Sequence, residues 1–157
     1  MLGAQPHQQR APGFVGVGRV GNGGCFGHHR CLGCARFGLG SGALVVGGAA
    51  SLDNSASFGI GNAITLNAGL TVAGNNDLSL NGIIDGAGSL TKNGTADLTL
   101  SNTNTYTGGT TLNGGKLILA NSAALGTGDL TAGNNVALDN SIALSLANNL
   151  HLLGALG

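Results

Sequence analysis

After residue 38, the hydrophobic residues come in runs too short for anything but narrow strands. "AITL", "GLTV", "DLSL", "SLT", "DLTL", "TTL", "KLIL", "DLT" and "VAL" follow one another, each three to five residues long, most with Leu or Ile at alternate places and Thr or Ser between. A period of two is the mark of a strand with one face buried. Leu98 and Leu100 are expected to point inward with Thr99 outward, and Leu117 and Leu119 to flank an outward Ile118. Gly, Asn and Asp cluster between the runs ("NAG", "AGNND", "DGAG", "KNG", "NGG", "GTG"). They supply the positive φ and the side-chain hydrogen bonds of sharp corners. No window keeps a 3.6-residue period free of Gly or Asn, so helices are disfavoured.

Strands this short cannot build two long packed sheets, but they can wind into a solenoid. Coils of about 20 to 29 residues then stack at the ~4.8 Å strand spacing, and the segment from Leu39 to Gly157 gives roughly five of them. Composition fits such a thin core. Hydrophobic residues make up 42% of the chain, almost all aliphatic, with 31 glycines and 8% charged residues. The surface must therefore be covered by Thr, Ser and Asn.

The chain also repeats itself over a longer distance. "LGSGALVVGGAASLDNS" (Leu39 to Ser55) aligns with "LGTGDLTAGNNVALDNS" (Leu125 to Ser141), at a constant offset of 86 residues from Asp53 to Asp139. The match continues weakly, pairing Asn62 with Asn148, Leu66 with Leu152 and Leu70 with Leu156.

Composition changes sharply near residue 39. Arg10, Arg19, Arg30 and Arg36 precede it and give +4; Lys92 and Lys116 against six aspartates follow it and give −4. Both prolines and all three cysteines lie in the first part, and the first threonine is Thr65. The chain is therefore read as two parts: a Gly/Arg/Cys-rich segment, 1–38, and a solenoid, 39–157.

Within the second part, "GAGSLTKNGTADLTLSNTNTYTGGTTLNGGKLILANSAALGTGDLT" resembles the autotransporter-associated β-strand repeat, also called the passenger-associated transport repeat. The signature stands here as Gly86, Gly88, Leu90, Lys92, Gly94, Leu98, Leu100, Asn104, Tyr106, Gly108 and Thr110. Asp97 departs from the usual small or hydroxyl residue, at a position expected to face outward. The resemblance implies an all-β, right-handed parallel β-helix at the surface of a Gram-negative bacterium, outer-membrane-associated or secreted. Its partners would be neighbouring β-helix coils and a β-barrel translocator of the parent protein. It further implies a non-enzymatic segment that assists outer-membrane translocation and folding in type V secretion. An isolated piece is expected to be marginally stable or to aggregate, because apolar coil ends and strand edges are exposed.

Residues 1–38 lie outside the resemblance and hold three motif-like features. "GVGRVG" satisfies G-x-G-x-x-G, but no acid follows until Asp53, so no dinucleotide site is assigned. "CFGHHRCLGC" offers Cys25, His28, His29, Cys31 and Cys34 as soft ligands for zinc, in a spacing that matches no two-by-two knuckle. No metal or other cofactor is therefore assigned, and Cys25, His28, Cys31 and Cys34 stand as the weak candidates. The four arginines lack interleaved aromatics, which argues against nucleic acid. The segment reads as a disordered or irregular arm, or as the right gene read in the wrong frame: Gly27-His28-His29-Arg30 shifted by one base can spell Gly-Thr-Thr-Val. The start of the chain lacks the apolar stretch of a signal peptide, and no run reaches the ~20 apolar residues of a membrane helix.

Three functional classes follow. The first is the structural passenger segment. The second is an adhesin or carbohydrate-binding β-helix that meets a host surface or glycan through Ser, Thr, Asn and Tyr106. The third is a non-functional gene fragment. No catalytic site is assigned: His151 has no paired acid in the sequence pattern, and the aspartates are expected to cap turns.

Overall fold

The computed structural model describes residues 41–155. They form fourteen short strands and no helix: β1 (Leu44–Val46), β2 (Ala50–Leu52), β3 (Phe58–Ile60), β4 (Ile64–Leu66), β5 (Leu70–Val72), β6 (Leu78–Leu80), β7 (Ile84–Asp85), β8 (Leu90–Lys92), β9 (Asp97–Leu100), β10 (Thr110–Leu112), β11 (Lys116–Leu119), β12 (Leu130–Ala132), β13 (Ala137–Asn140) and β14 (Leu150–Leu152). No helix among the described residues is long and apolar enough to cross a membrane, which says nothing of a β-barrel.

Every strand pairing is parallel, and each strand pairs with strands one coil before or after it. Three faces result: a six-stranded sheet in the order β2-β5-β8-β10-β12-β14, a five-stranded sheet β3-β6-β9-β11-β13 and a three-stranded sheet β1-β4-β7. This is the expected all-β parallel solenoid, of about five turns. One coil carries the chain from Leu70 to its partner Leu90, and the next from Leu90 to Thr110, which is the lower end of the expected coil length. The third face continues beyond β7 without regular strands. There Thr105 N donates to Ile84 O at 2.8 Å, and Thr107 N to Gly86 O at 3.0 Å.

Because residues paired across a parallel ladder project to the same face, a residue and its partner one coil on point the same way, and period-2 alternation becomes rows of like side chains. Inward rows run Leu70, Leu90, Thr110, Leu130 on the largest sheet and Leu78, Leu98, Leu117 on the second, all buried. Leu98, Leu100 and Leu117 are fully buried and Leu119 nearly so, while Thr99 and Ile118 between them are half-buried, as the alternation requires. Truncating one such leucine to alanine costs about 2–5 kcal/mol, since a narrow core has little freedom to collapse. The six strands of the largest sheet span roughly 24 Å at ~4.8 Å per step.

Candidate functional site

The signature residues, Gly86 to Thr110, occupy a little more than one turn of the solenoid, and almost all of them are buried. Leu90, Leu98 and Leu100 supply the apolar core. The other members perform separate tasks, set by the polar groups that a stack of corners leaves inside.

Lys92 stands in an inward row, between Val72 and Leu112, with only 1% of its surface exposed. Its stem fills a leucine's place. Its ammonium turns to the next corner, donating to the carbonyl of Gly94 in its own coil and to Gly114 O, 3.2 Å away, in the following one. A buried ammonium survives only where carbonyls replace water. Burial pushes its pKa below the usual lysine value, against the pull of the Asp97 and Asp77 charges.

Asn104 spans three coils. Its Oδ1 accepts from Ile84 N at 2.8 Å, and its Nδ2 donates to Ala124 O at 2.7 Å. On this strand-poor face, the side chain supplies bonds that a backbone ladder supplies elsewhere. Tyr106, two residues on, is fully buried, and its hydroxyl lies 2.5 Å from the Thr110 hydroxyl, itself buried. Loss of water raises the phenol pKa to about 12, with the Thr110 hydrogen bond opposing part of that rise. The expectation that Tyr106 contributes to a binding surface is overturned: the ring is in the core.

The signature glycines mark close backbone approach. Gly86 has a φ of +102°, and a Cβ on Gly88 would stand 2.1 Å from the carbonyl oxygen of Ala68 in the preceding coil. Gly94 and Gly108 sit over Gly74 and Gly88 in the same manner. Asp97, the departure from the signature, faces outward, forms an ion pair with Lys116 at 3.5 Å, and its N–H donates to Asp77 Oδ1 at 3.1 Å.

The outer surface shows what the linear sequence conceals. Strand register places Ser51, Thr71, Thr91, Thr111, Thr131 and His151 in a single file along the six-stranded sheet. Read along the chain the threonines look irregular; taken one per coil they align. Near the end of this file lies an open groove of about 360 Å³ lined by Thr107, Gly108, Gly109, Thr110, Thr111, Gly128, Asp129 and Thr131. Asp129 is held from outside the groove: Asn149 Nδ2 donates to its Oδ1 at 2.9 Å, and His151 Nε2 lies 3.4 Å from Oδ2. His151 is an exposed strand residue, as expected, but it does have an acid beside it, brought from one coil earlier.

The aspartates divide between turns and other tasks. Asp53 and Asp139 each accept the N–H of the following asparagine at 2.8 Å. Among the described residues no three His, Cys, Asp or Glu side chains gather to hold a metal ion. The zinc candidates Cys25, His28, Cys31 and Cys34, and the "GVGRVG" motif, lie outside the described residues.

Comparison with known proteins agrees with this architecture. Residues 90–119 match the family model described as the passenger-associated transport repeat. The chain is 42% identical over 93 residues to the adhesin BmaC autotransporter of Brucella suis biovar 1 (strain 1330). That alignment covers 53% of this chain and 3% of the relative, so the chain spans a small part of the length of that protein. No solved structure matches it.

Proposed function

We propose that this chain, which carries a passenger-associated transport repeat, acts as a non-enzymatic structural segment of an autotransporter passenger at the surface of a Gram-negative cell. The observation that carries this reading is that the signature residues are spent on joining one coil to the next. Lys92, Asn104 and the Gly88 contact each act across a coil boundary. A solenoid built this way folds by adding coils to a formed neighbour. Coils that close outside the outer membrane would oppose back-sliding through a β-barrel translocator and template those that follow, without ATP. Parallel pairing across a whole coil is also slow relative to local structure, which would keep the chain threadable in transit. The composition break near Leu39 is the boundary we assign to the passenger segment.

The test places the chain between a secretion signal and a β-barrel translocator in a Gram-negative host, and measures protease-accessible protein at the cell surface. Export should fall when residues 39–157 are replaced by a Gly/Ser chain of equal length. Equal export would remove the translocation role.

A second reading, an adhesive surface, is favoured by the likeness to a protein named as an adhesin. The two are compatible, since a rod that aids export also presents its outer faces.

A further inference from the structure

We infer that the groove beside Asp129 is a binding site for a neutral carbohydrate, with Asp129 as its hydrogen-bond acceptor and Thr107, Thr111 and Thr131 as its hydroxyl partners. This rests on the adhesive reading and specifies its ligand.

The groove exists because Gly108, Gly109 and Gly128 meet at one corner of adjacent coils, so no side chain stands over the backbone there. Gly109 has a φ of +78° and Gly128 packs directly on it. At about 360 Å³ the space is near the lower end of small-molecule sites, which run from roughly 300 to 1,000 Å³. Its chemistry is selective by what it offers. The hydroxyls of Thr107, Thr111 and Thr131 make no hydrogen bond within the described residues, so each is open to donate and accept. The carboxylate of Asp129 accepts from Asn149 Nδ2, lies beside His151, and still has lone pairs to spare. No lysine or arginine lines the groove, and a carboxylate stands in it, which disfavours an anion. The lining has no aliphatic or aromatic side chain, which disfavours an apolar ligand. A single carboxylate is too few for a hard cation. A ring bearing several uncharged hydroxyls satisfies all of these groups together, with the carboxylate taking the strongest, charge-assisted hydrogen bond.

The groove is open to solvent. From Thr111 the file continues to Thr91 and Thr71, one hydroxyl per coil at ~4.8 Å intervals. A ligand longer than one ring can lie along it.

The experiment applies the full chain, checked for β-structure by circular dichroism, to an array of neutral and sialylated oligosaccharides. The variants are Asp129→Asn, Thr131→Ala and, on the neighbouring sheet as a control, Thr99→Ala. The expected result is binding of neutral oligosaccharides, weakened at least about tenfold by Asp129→Asn, as befits loss of a charge-assisted hydrogen bond. Thr131→Ala should weaken it too, and Thr99→Ala should leave it unchanged. No neutral glycan bound, preference for sialylated glycans, or equal binding by all variants would overturn the inference. In parallel, cells displaying the chain are scored for attachment to a host-cell monolayer: attachment without glycan binding removes the carbohydrate site alone, whereas loss of both removes the adhesive reading as well.

Discussion

Asn54 and Asn140 hold the same local conformation in different coils and on different faces of the rod. Each takes its N–H to the preceding aspartate at 2.8 Å, and each turns Nδ2 to the carbonyl two residues on, Ala56 O at 3.0 Å and Ile142 O at 2.6 Å. Yet the leucine two residues before Asn54 lies in β2 of the six-stranded sheet, and that before Asn140 in β13 of the five-stranded one. The tetrapeptide "LDNS" fixes the turn; the length of chain since the last coil fixes the face. The long repeat therefore spans four coils and one further face. Asn54 adds bonds to Asn76 O and Asp77 O of the next coil, at 2.8 and 3.2 Å, whereas Asn140 is exposed.

Asn104 should be among the costliest polar side chains to remove. Asn104→Leu keeps the volume but leaves Ile84 N–H and Ala124 C=O without partners in the core. At about 1–3 kcal/mol for each stranded group, the loss is about 2–6 kcal/mol, read from urea unfolding of the variant against the parent. A loss below about 1 kcal/mol would show that the backbone there re-pairs by itself.

Lys92 makes stability rise with pH. Its folded pKa is lowered, so the unfolded chain binds its proton more tightly, and neutral-pH folding works against a buried charge. As pH climbs through the folded value towards the unfolded value near 10.5, that penalty is lifted. Unfolding midpoints should increase over this window in the parent and be flatter in Lys92→Met. The same slope in both would place its origin elsewhere.

Tyr106 acts in the opposite direction at higher pH. Its folded pKa is raised to about 12, so above the unfolded value of about 10 the unfolded state loses its proton first and stability falls. The chain has one tyrosine, so tyrosinate absorbance reports it alone. Titration should centre near pH 10 in denaturant and near pH 12 in the folded chain. Tyr106→Phe leaves the buried Thr110 hydroxyl unpaired and should cost about 1–2 kcal/mol.

Alanine at Gly88 and at Gly61 should behave differently. At Gly88 a Cβ would be driven into the Ala68 carbonyl, whereas at Gly61 it meets nothing within 4 Å. Gly88→Ala is expected to cost more than about 2 kcal/mol by forcing two coils apart, and Gly61→Ala to lie within about 0.5 kcal/mol of the parent. Thermal melts of both variants decide it.

The strands, their inward rows and the corners were legible because period-2 alternation and Gly/Asn clusters are local signals. Leu98, Thr99 and Leu100 needed no knowledge of the neighbouring coils. The tasks of Lys92 and Asn104 were not legible, since both depend on backbone groups a full coil away in the chain. A charged and an amide side chain also look like surface residues until the register puts them inside. Tyr106 misled for the same reason. The groove was hidden because Asp129, Thr111 and His151 converge only once the coil length is known.

That coil length also governs which changes of length the molecule can absorb. On the largest sheet the step is constant, Leu90 to Thr110 and Thr110 to Leu130. On the second sheet Asp97 pairs with Lys116, a step shorter by one, and Lys116 with Ala137, a step longer by one. The residue missing at the tight Gly114-Gly115 corner is returned before Leu130, within the same turn. Insertions and deletions are therefore filtered by where they fall: the gain of a whole coil adds a rung, a corner absorbs one residue more or less while Leu117 and Leu119 stay inward, and an extra residue within a strand turns the leucines that follow it in that strand outward.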